Sequence, residues 1–234
     1  MNYHKYSEYL KGFALSLALL GLAACSDSGG DAETTDPAVV AEEEAAAAAE
    51  AQELAAAAGG EGVWGDIVYG NPDAPVEIIE YASLTCPHCA RFAADIFPKI
   101  QAEYIDTGKV KFIYRNYVMN PYDMAASVAA RCKTPDVAKR LMKVYFDRQS
   151  AWLGAEDRVG ALAGLARRAG GISRTQFDRC TANRDMQQHL AKMTQDGAAR
   201  YNVNATPTLL VEGSKVLATN DWEAVKAAIE AELN

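Results

Sequence analysis

The sequence predicts an α/β protein in which a block of helices interrupts a small sheet. Two apolar, β-branched segments at 76–83 and 110–117 are separated by one helical segment. From about 122 to 201 the apolar residues recur at helical spacing only, and two more strand-like segments and a final helix follow. This order is typical of a sheet whose two parts are joined through an all-helical insertion.

The first predicted strand, 76–83, is rich in β-branched residues and follows the turn signal NPDAP. The next segment has apolar residues at helical spacing, namely Phe92, Ile96, Ile100 and Tyr104. Pro98 should kink this helix, and Gly108 should end it. The second strand, 110–117, is almost continuously apolar, as expected for a strand that is buried on both faces.

The helical block is predicted to contain roughly four or five helices and no strand. Its segments are separated by TPD, LGAED and AGGIS, and Ser173 with Gln176 forms a capping-box signal. After the block, TPTLLVEGSKVLA predicts two strands joined at 212–213. The last segment, DWEAVKAAIEAEL, predicts a terminal amphipathic helix.

Residues 1–24 have the features of a secretory signal. Lys5 and Lys11 precede an apolar run that is shorter than the ~20 residues of a membrane-spanning helix, and small residues follow it. The segment LAAC resembles the lipobox of bacterial lipoproteins, which implies cleavage before Cys25 and attachment of a diacylglyceryl group to its sulfur. A plain signal peptide with an incidental cysteine is the alternative.

Residues 25–62 are rich in Ala, Glu, Gly and Asp and lack an apolar stripe that could be buried. We expect a tether, either partly helical or disordered, that holds the following domain, residues 63–234, away from a membrane. The expected location is the periplasm, with a lipid anchor in a bacterial membrane. Ser26 is not the aspartate of an inner-membrane retention signal, which favours the outer membrane. The net charge of -8 gives no electrostatic footprint for nucleic acid.

The chain has five cysteines, and an odd number in an exported protein requires an explanation. Lipidation of Cys25 would leave four, namely Cys86, Cys89, Cys132 and Cys180. Cys132 and Cys180 both lie in the helical block, where they are either buried free thiols or a pair. The oxidising compartment favours a structural disulfide, which would stabilise the protein by about 4 kcal/mol through loop closure.

Cys86 and Cys89 form a Cys-x-x-Cys motif with Pro87 and His88 between them. A structural zinc site needs four ligands, and the chain has no second motif of this kind and few histidines. A disulfide at this spacing closes a very small ring, so its contribution to stability is small. The motif therefore predicts a redox-active disulfide that works without a further cofactor.

Cys86 is predicted at the N-terminus of the first helix, where unpaired backbone N–H groups favour an anion. The first cysteine of such motifs titrates at roughly 3.5 to 7 instead of ~8.5, which favours the thiolate by about 2 to 7 kcal/mol. A protonated or hydrogen-bond-donating His88 would add to this preference. Because stabilising the reduced thiolate makes the disulfide a stronger oxidant, the motif points to an oxidising role.

Two segments resemble those of the DsbA family of bacterial thiol–disulfide oxidoreductases. GNPDAPVEIIEYASLTCPHC is similar to the opening of these proteins, and ATPTLLVEG is similar to the segment that carries their cis-proline. The likeness runs from about Tyr69 to the C-terminus and includes the helical block. It implies a thioredoxin fold with an all-helical insertion (DsbA-like).

The resemblance also implies a role for each matching residue. Cys86 is the nucleophile that forms a mixed disulfide with the substrate, and Cys89 is the buried resolving partner. Pro207 matches the cis-proline and Thr206 precedes it, so a substrate segment could pair with this backbone as an added strand. Glu80 matches a buried acid that accepts the proton of Cys89, and a surface glutamate on the strand is the alternative.

The implied function is the oxidation of reduced or unfolded exported proteins, followed by re-oxidation of the pair by a DsbB-like, quinone-linked membrane protein. A reductase or isomerase of the same fold is the first alternative. Such isomerases usually dimerise through an N-terminal domain, and the tether lacks the heptad pattern for this, so a monomer is expected. A copper-handling thiol protein is the second alternative, although no Met- or His-rich tract supports it.

Overall fold

The computed structural model describes residues 62–234 and four isolated residues, 42, 45, 46 and 49. The isolated residues are helical and exposed. Residues 1–24, Cys25 and most of the predicted tether lie outside the described residues, so their roles stay predictions. None of the helices in the described part is long and apolar enough to cross a membrane.

Residues 62–234 contain a five-stranded mixed sheet with the order β1-β3-β2-β4-β5. Its strands are β1 (Ile67–Tyr69), β2 (Val76–Ala82), β3 (Val110–Asn116), β4 (Thr208–Val211) and β5 (Ser214–Val216). β2 and β3 are parallel, and the other neighbouring pairs are antiparallel. The four predicted strands are confirmed. The sequence analysis missed β1, because a strand of three residues is too short to show a period.

The described part contains nine α-helices, numbered here in chain order. They are α1 (Pro87–Asp95), α2 (Phe97–Ile100), α3 (Pro121–Ala130), α4 (Pro135–Asp147), α5 (Gln149–Leu153), α6 (Arg158–Gly170), α7 (Arg174–Thr181), α8 (Arg184–Tyr201) and α9 (Trp222–Leu233). The insertion, α3 to α8, therefore holds one helix more than the upper prediction. The short α5 follows α4 after Arg148 alone, with no Gly or Pro to mark the break.

The helix after the redox motif is interrupted, as the position of Pro98 predicted. α1 ends and α2 begins around Ile96, and Pro98 lies in the first turn of α2, where its missing N–H is not needed. The four apolar residues at helical spacing, Phe92, Ile96, Ile100 and Tyr104, are all buried. The chain continues from α2 as a π-helical turn, Gln101–Ile105, and Gly108 follows with a φ of 73°.

Polar side chains define where the helices of the insertion begin. Asn120, Thr134, Asp157 and Asn183 each accept a hydrogen bond from a backbone N–H of the first turn that follows them. The capping box predicted at Ser173 is present. Local sequence therefore sets most helix starts in the insertion.

Alternation along β2 decides which of its side chains face the redox motif. Ile78 packs with Phe92 of α1, and Ala82 packs with Cys89, so both lie on the face that α1 and the insertion cover. Ile79 and Tyr81 lie on the opposite face. Glu80 falls between Ile78 and Ala82 in this alternation and therefore points to the same face as they do.

Candidate redox site

Cys86 is the N-cap residue of α1, and Pro87 is the first residue of the helix. β2 ends at Ala82, so a short turn carries the chain from the carboxyl end of the strand to this cysteine. Only 9% of Cys86 and none of Cys89 is exposed, whereas Pro87 and His88 are exposed. Cys86 is thus the more accessible of the two sulfurs.

The surroundings of Cys86 favour its thiolate. A side-chain hydrogen bond from Cys89 lowers the pKa of Cys86 most, and burial acts in the opposite direction. Hydrogen bonds from the Thr206 side chain and from the N–H groups of Cys89 and His88 lower the pKa further. The resulting pKa of Cys86 is about 5. These two N–H groups belong to the first turn of α1, where backbone N–H groups have no acceptor within the helix. At neutral pH the sulfur is therefore an anion.

Cys89 behaves in the opposite way. Burial raises its pKa far above the ordinary value, and the hydrogen bond to Cys86 and the charges of Glu80 and Cys86 raise it further. Cys89 therefore keeps its proton and donates it in a hydrogen bond to the Cys86 thiolate. The pair consists of one reactive anion and one protonated thiol, as nucleophilic and resolving roles require.

Thr206 and Pro207 lie beside Cys86 although they are far away in the chain. The peptide bond between them is cis. The Sγ atom of Cys86 is 3.3 Å from the carbonyl oxygen of Thr206, so the neutral thiol donates to this carbonyl and the thiolate does not. β4 starts directly after Pro207 and is antiparallel to β2, with Thr208 opposite Tyr81, so this turn lies at the carboxyl end of β2, from which the chain runs into α1.

The imidazole of His88 turns toward the surface and not toward the sulfur. Its Nδ1 atom lies 2.7 Å from Nη2 of Arg91. A guanidinium group only donates, so Nδ1 accepts this hydrogen bond. His88 contributes to the thiolate of Cys86 through its backbone N–H.

Glu80 is buried beneath the pair, with 4% of its surface exposed. In the sheet it lies opposite Tyr114 of β3 and Leu209 of β4. Burial, and secondly the charge of Cys86, raises the pKa of Glu80 to about 8. Its Oε1 atom has no hydrogen-bond partner among the described residues. A carboxyl group in this state is protonated at neutral pH and can exchange a proton with a neighbour whose charge changes.

A family model described as thioredoxin matches residues 63–231. The chain belongs to the thioredoxin family. Within it, the disulfide bond formation protein D of Bacillus subtilis is 28% identical over 181 residues, which are 72% of this chain and 78% of that protein. The thioredoxin fold and the helical insertion predicted from the sequence are confirmed.

Solved structures place the chain among the DsbA-like members of the thioredoxin family. The protein-disulfide isomerase of Novosphingobium aromaticivorans is 29% identical with a TM-score of 0.64, covering 73% of this chain and 98% of that one. Wolbachia pipientis α-DsbA1 is 25% identical with a TM-score of 0.63, covering 71% of this chain and 89% of that one. Relatives in Rickettsia are longer, and the chain spans 57% of the length of the Rickettsia bellii protein.

In this DsbA-like protein Cys132 and Cys180 are joined by a disulfide, with a Cα–Cα distance of 6.0 Å. Cys132 follows the last turn of α3, and Cys180 lies in α7. The bond therefore connects two helices of the insertion. Among the described residues there is no group of three or more His, Cys, Asp or Glu side chains that could hold a metal ion.

Asp123 of α3 is a site residue that the sequence analysis missed. It is buried, and its carboxylate accepts hydrogen bonds from the Ser83 hydroxyl at 2.5 Å, from the Leu84 N–H at 2.9 Å and from the Met119 N–H at 3.0 Å. It thus holds the turn that precedes Cys86. Its position three residues after the helix cap gives no hint of this role, because Ser83 and Leu84 lie about forty residues earlier in the chain.

Gln149, the first residue of α5, is the second site residue that was missed. It is 7% exposed, and its Nε2 atom lies 2.9 Å from the carbonyl oxygen of Leu84 and 2.9 Å from that of Cys86. No motif marks this glutamine, and the helix that carries it was not predicted as a separate element. The insertion therefore contacts the turn before Cys86 through Asp123 and Gln149, and Gln149 also binds the carbonyl of Cys86.

Proposed function

We propose that this protein is an exported thiol–disulfide oxidase that transfers the Cys86–Cys89 disulfide to reduced client proteins. The observation that carries the proposal is the asymmetry of the pair, in which Cys86 is held as a thiolate and Cys89 as a buried thiol. An environment that stabilises the reduced thiolate increases the tendency of the disulfide to accept electrons.

The size of this effect follows from the pKa of Cys86, which lies at about 5. At pH 7, ionisation of such a thiol stabilises the reduced form by about 2.7 kcal/mol relative to a cysteine with an ordinary pKa. For a two-electron couple this corresponds to a reduction potential higher by about 60 mV. An oxidase needs a shift in this direction, and a dedicated reductase does not.

The exchange takes two steps. A client thiolate attacks Cys86 of the oxidised pair, the bond to Cys89 breaks, and Cys89 leaves as a thiolate that takes up one proton. Protonated Glu80 beneath the pair is suited to supply that proton. A second client thiolate then attacks the client sulfur of the mixed disulfide, and Cys86 leaves as a thiolate. The client loses two electrons and the pair gains them.

The test is the reduction potential of the pair, measured by equilibration with glutathione. The first cysteine of thioredoxin itself titrates at ~7, so we expect a value about 50 mV above the ~-270 mV of thioredoxin. A value near that of thioredoxin would reject the oxidase and leave a reductase. Purified protein should also oxidise a reduced, unfolded client in one turnover, and Cys86→Ser should abolish this activity.

A second candidate function is disulfide isomerisation, which the similarity to the Novosphingobium isomerase supports. An isomerase acts with the pair reduced, and it rearranges a client that already holds wrong disulfides. Adding the reduced protein to a scrambled client distinguishes the two functions. Recovery of client activity without any external oxidant would support the isomerase. If the purified protein instead retains Cu(I) in a one-to-one ratio and does not oxidise dithiols, this result would support the copper-handling alternative.

The proposed location is the periplasmic side of a bacterial membrane, with Cys25 lipidated and the outer membrane favoured. The signal-like residues 1–24 and the LAAC segment support this proposal. The lipid would anchor the protein on the periplasmic side, where a DsbB-like, quinone-linked membrane protein, the proposed re-oxidant, can reach it. Fractionation of cells that express the parent and of cells that express Cys25→Ala tests the anchor: the variant should move from the membrane to the soluble fraction. A membrane-bound variant would contradict the lipoprotein assignment.

A further inference from the structure

The turn that carries Cys86 is held by side chains of the helical insertion. The N–H of Leu84 donates to Asp123 at 2.9 Å, and the carbonyl of Leu84 accepts from Gln149 at 2.9 Å. The carbonyl of Cys86 accepts from the same Nε2 atom of Gln149, also at 2.9 Å. A primary amide nitrogen carries two N–H groups, so one glutamine can serve both carbonyls at once.

The position of the Cys86 peptide group controls how well α1 stabilises the sulfur. As the N-cap residue, Cys86 uses its carbonyl to accept the N–H of Ala90 at 3.2 Å, which closes the first turn of the helix. The N–H groups of His88 and Cys89 belong to that same turn, and they lower the pKa of the Cys86 thiol. Gln149 binds the oxygen that starts the turn, and so it fixes the backbone of Cys86 relative to the first turn of α1.

The contact lies in a buried environment, where such hydrogen bonds have a large effect. Gln149 is buried, and so are Leu84 and Cys86. Removing the donor would leave the buried carbonyl of Leu84 without the partner that the structure gives it, which costs about 1 to 3 kcal/mol unless the turn moves. Any movement that restores a partner to Leu84 also displaces Cys86, because only Thr85 lies between them in the chain.

We propose that Gln149 is a positioning residue for the redox pair: through the carbonyls of Leu84 and Cys86 it fixes Cys86 at the N-terminus of α1. The helical insertion would in this way tune the thiol chemistry of the thioredoxin core. The role holds for either direction of electron flow, so it does not stand or fall with the oxidase proposal.

The test uses two replacements of Gln149 in the full chain. Gln149→Met keeps the length of the side chain and removes both donors. Gln149→Glu keeps the shape and puts an oxygen atom in place of Nε2, facing the two carbonyls. For each folded variant, the pKa of Cys86 is measured from thiolate absorbance, and the equilibrium constant with glutathione is measured at pH 7.

We expect the pKa of Cys86 in Gln149→Met to rise by about one pH unit and the equilibrium constant to fall about tenfold toward a less oxidising pair. Gln149→Glu should change both quantities in the same direction and by more. Each variant is decisive alone, so failure of one to fold leaves the other as the test.

The matched control is Tyr145→Phe. It removes a buried hydroxyl that lies 3.5 Å from the carbonyl of Leu162 in the same helical insertion and binds nothing in the turn before Cys86. It should lower the free energy of unfolding without changing the pKa of Cys86. If the Gln149 variants behave like this control, with lower stability and an unchanged pKa and equilibrium constant, Gln149 is only structural and the proposal is overturned.

Discussion

Replacing Glu80 with glutamine tests whether a protonated carboxyl group lies beneath the redox pair. Burial, and secondly the charge of Cys86, raises the pKa of Glu80 to about 8, whereas an unfolded glutamate titrates near ~4.3. Between these pH values the folded protein holds a proton that the unfolded chain has released. The stability associated with Glu80 is therefore complete below about pH 4.3 and is lost as the pH rises toward 8.

The magnitude follows from the width of that window. Each pH unit inside it lowers the free energy of unfolding by about 1.36 kcal/mol, so the loss between pH 5 and pH 8 approaches about 4 kcal/mol. Glutamine has nearly the same volume and does not titrate. In the oxidised protein Cys86 carries no charge and burial of Glu80 acts alone, so we expect Glu80→Gln to be more stable than the parent by about 3 kcal/mol at pH 8.

The assay is urea unfolding of the oxidised protein at a series of pH values from 5 to 8. Glu77→Gln on the same strand is the control, because Glu77 is part-exposed and pairs with Lys111 at 2.6 Å. Loss of such a pair should change stability by less than about 1 kcal/mol. A stabilisation by Glu80→Gln that is equal at pH 5 and pH 8, or that Glu77→Gln shares, would refute the reasoning.

Three further predictions concern the same site and its support. The reduced protein should gain stability relative to the oxidised protein as the pH rises from about 5 to 8, because the lowered pKa of Cys86 makes the folded state release the thiol proton at a lower pH than the unfolded chain does. Thermal unfolding of both forms across this pH range checks the prediction. Replacing Cys132 and Cys180 together with serine should lower the free energy of unfolding by about 4 kcal/mol, because the disulfide closes a loop between residues 48 positions apart. An unchanged urea midpoint would show that the bond does not constrain the chain. Asp123→Ala should cost about 3 kcal/mol in urea unfolding, because it leaves the buried N–H of Leu84 without an acceptor.

Local patterns were sufficient for most of the fold. The strands at 76–83 and 110–117 were predicted because apolar, β-branched runs next to turn residues have one common solution. The interruption near Pro98 and the capping box at Ser173 were predicted for the same reason, since each depends on the residues within one helical turn. The failures, β1 and the separate helix α5, are elements of three and five residues, which are too short to show a period.

The burial of Glu80 could not be decided from the strand alone. Its neighbours in the sequence were compatible with a surface position and with a buried one. Only the tertiary structure showed that β2 lies between β3 and β4 and that α1 packs on the face to which Glu80 points. The contacts of Asp123 and Gln149 depend on the path of the insertion over the turn before Cys86. No local pattern carries that information.

The sequence by itself determined the chemistry of this protein, because a thiol at the start of a helix and a second thiol one turn later form a redox pair through interactions within four residues. The tertiary structure alone decided how strongly that pair is polarised. It brought Thr206 to Cys86 across 120 residues, buried Cys89 and Glu80, and placed Gln149 against the turn. Burial and long-range hydrogen bonds set the relative energy of thiol and thiolate, and both arise only when distant segments pack together.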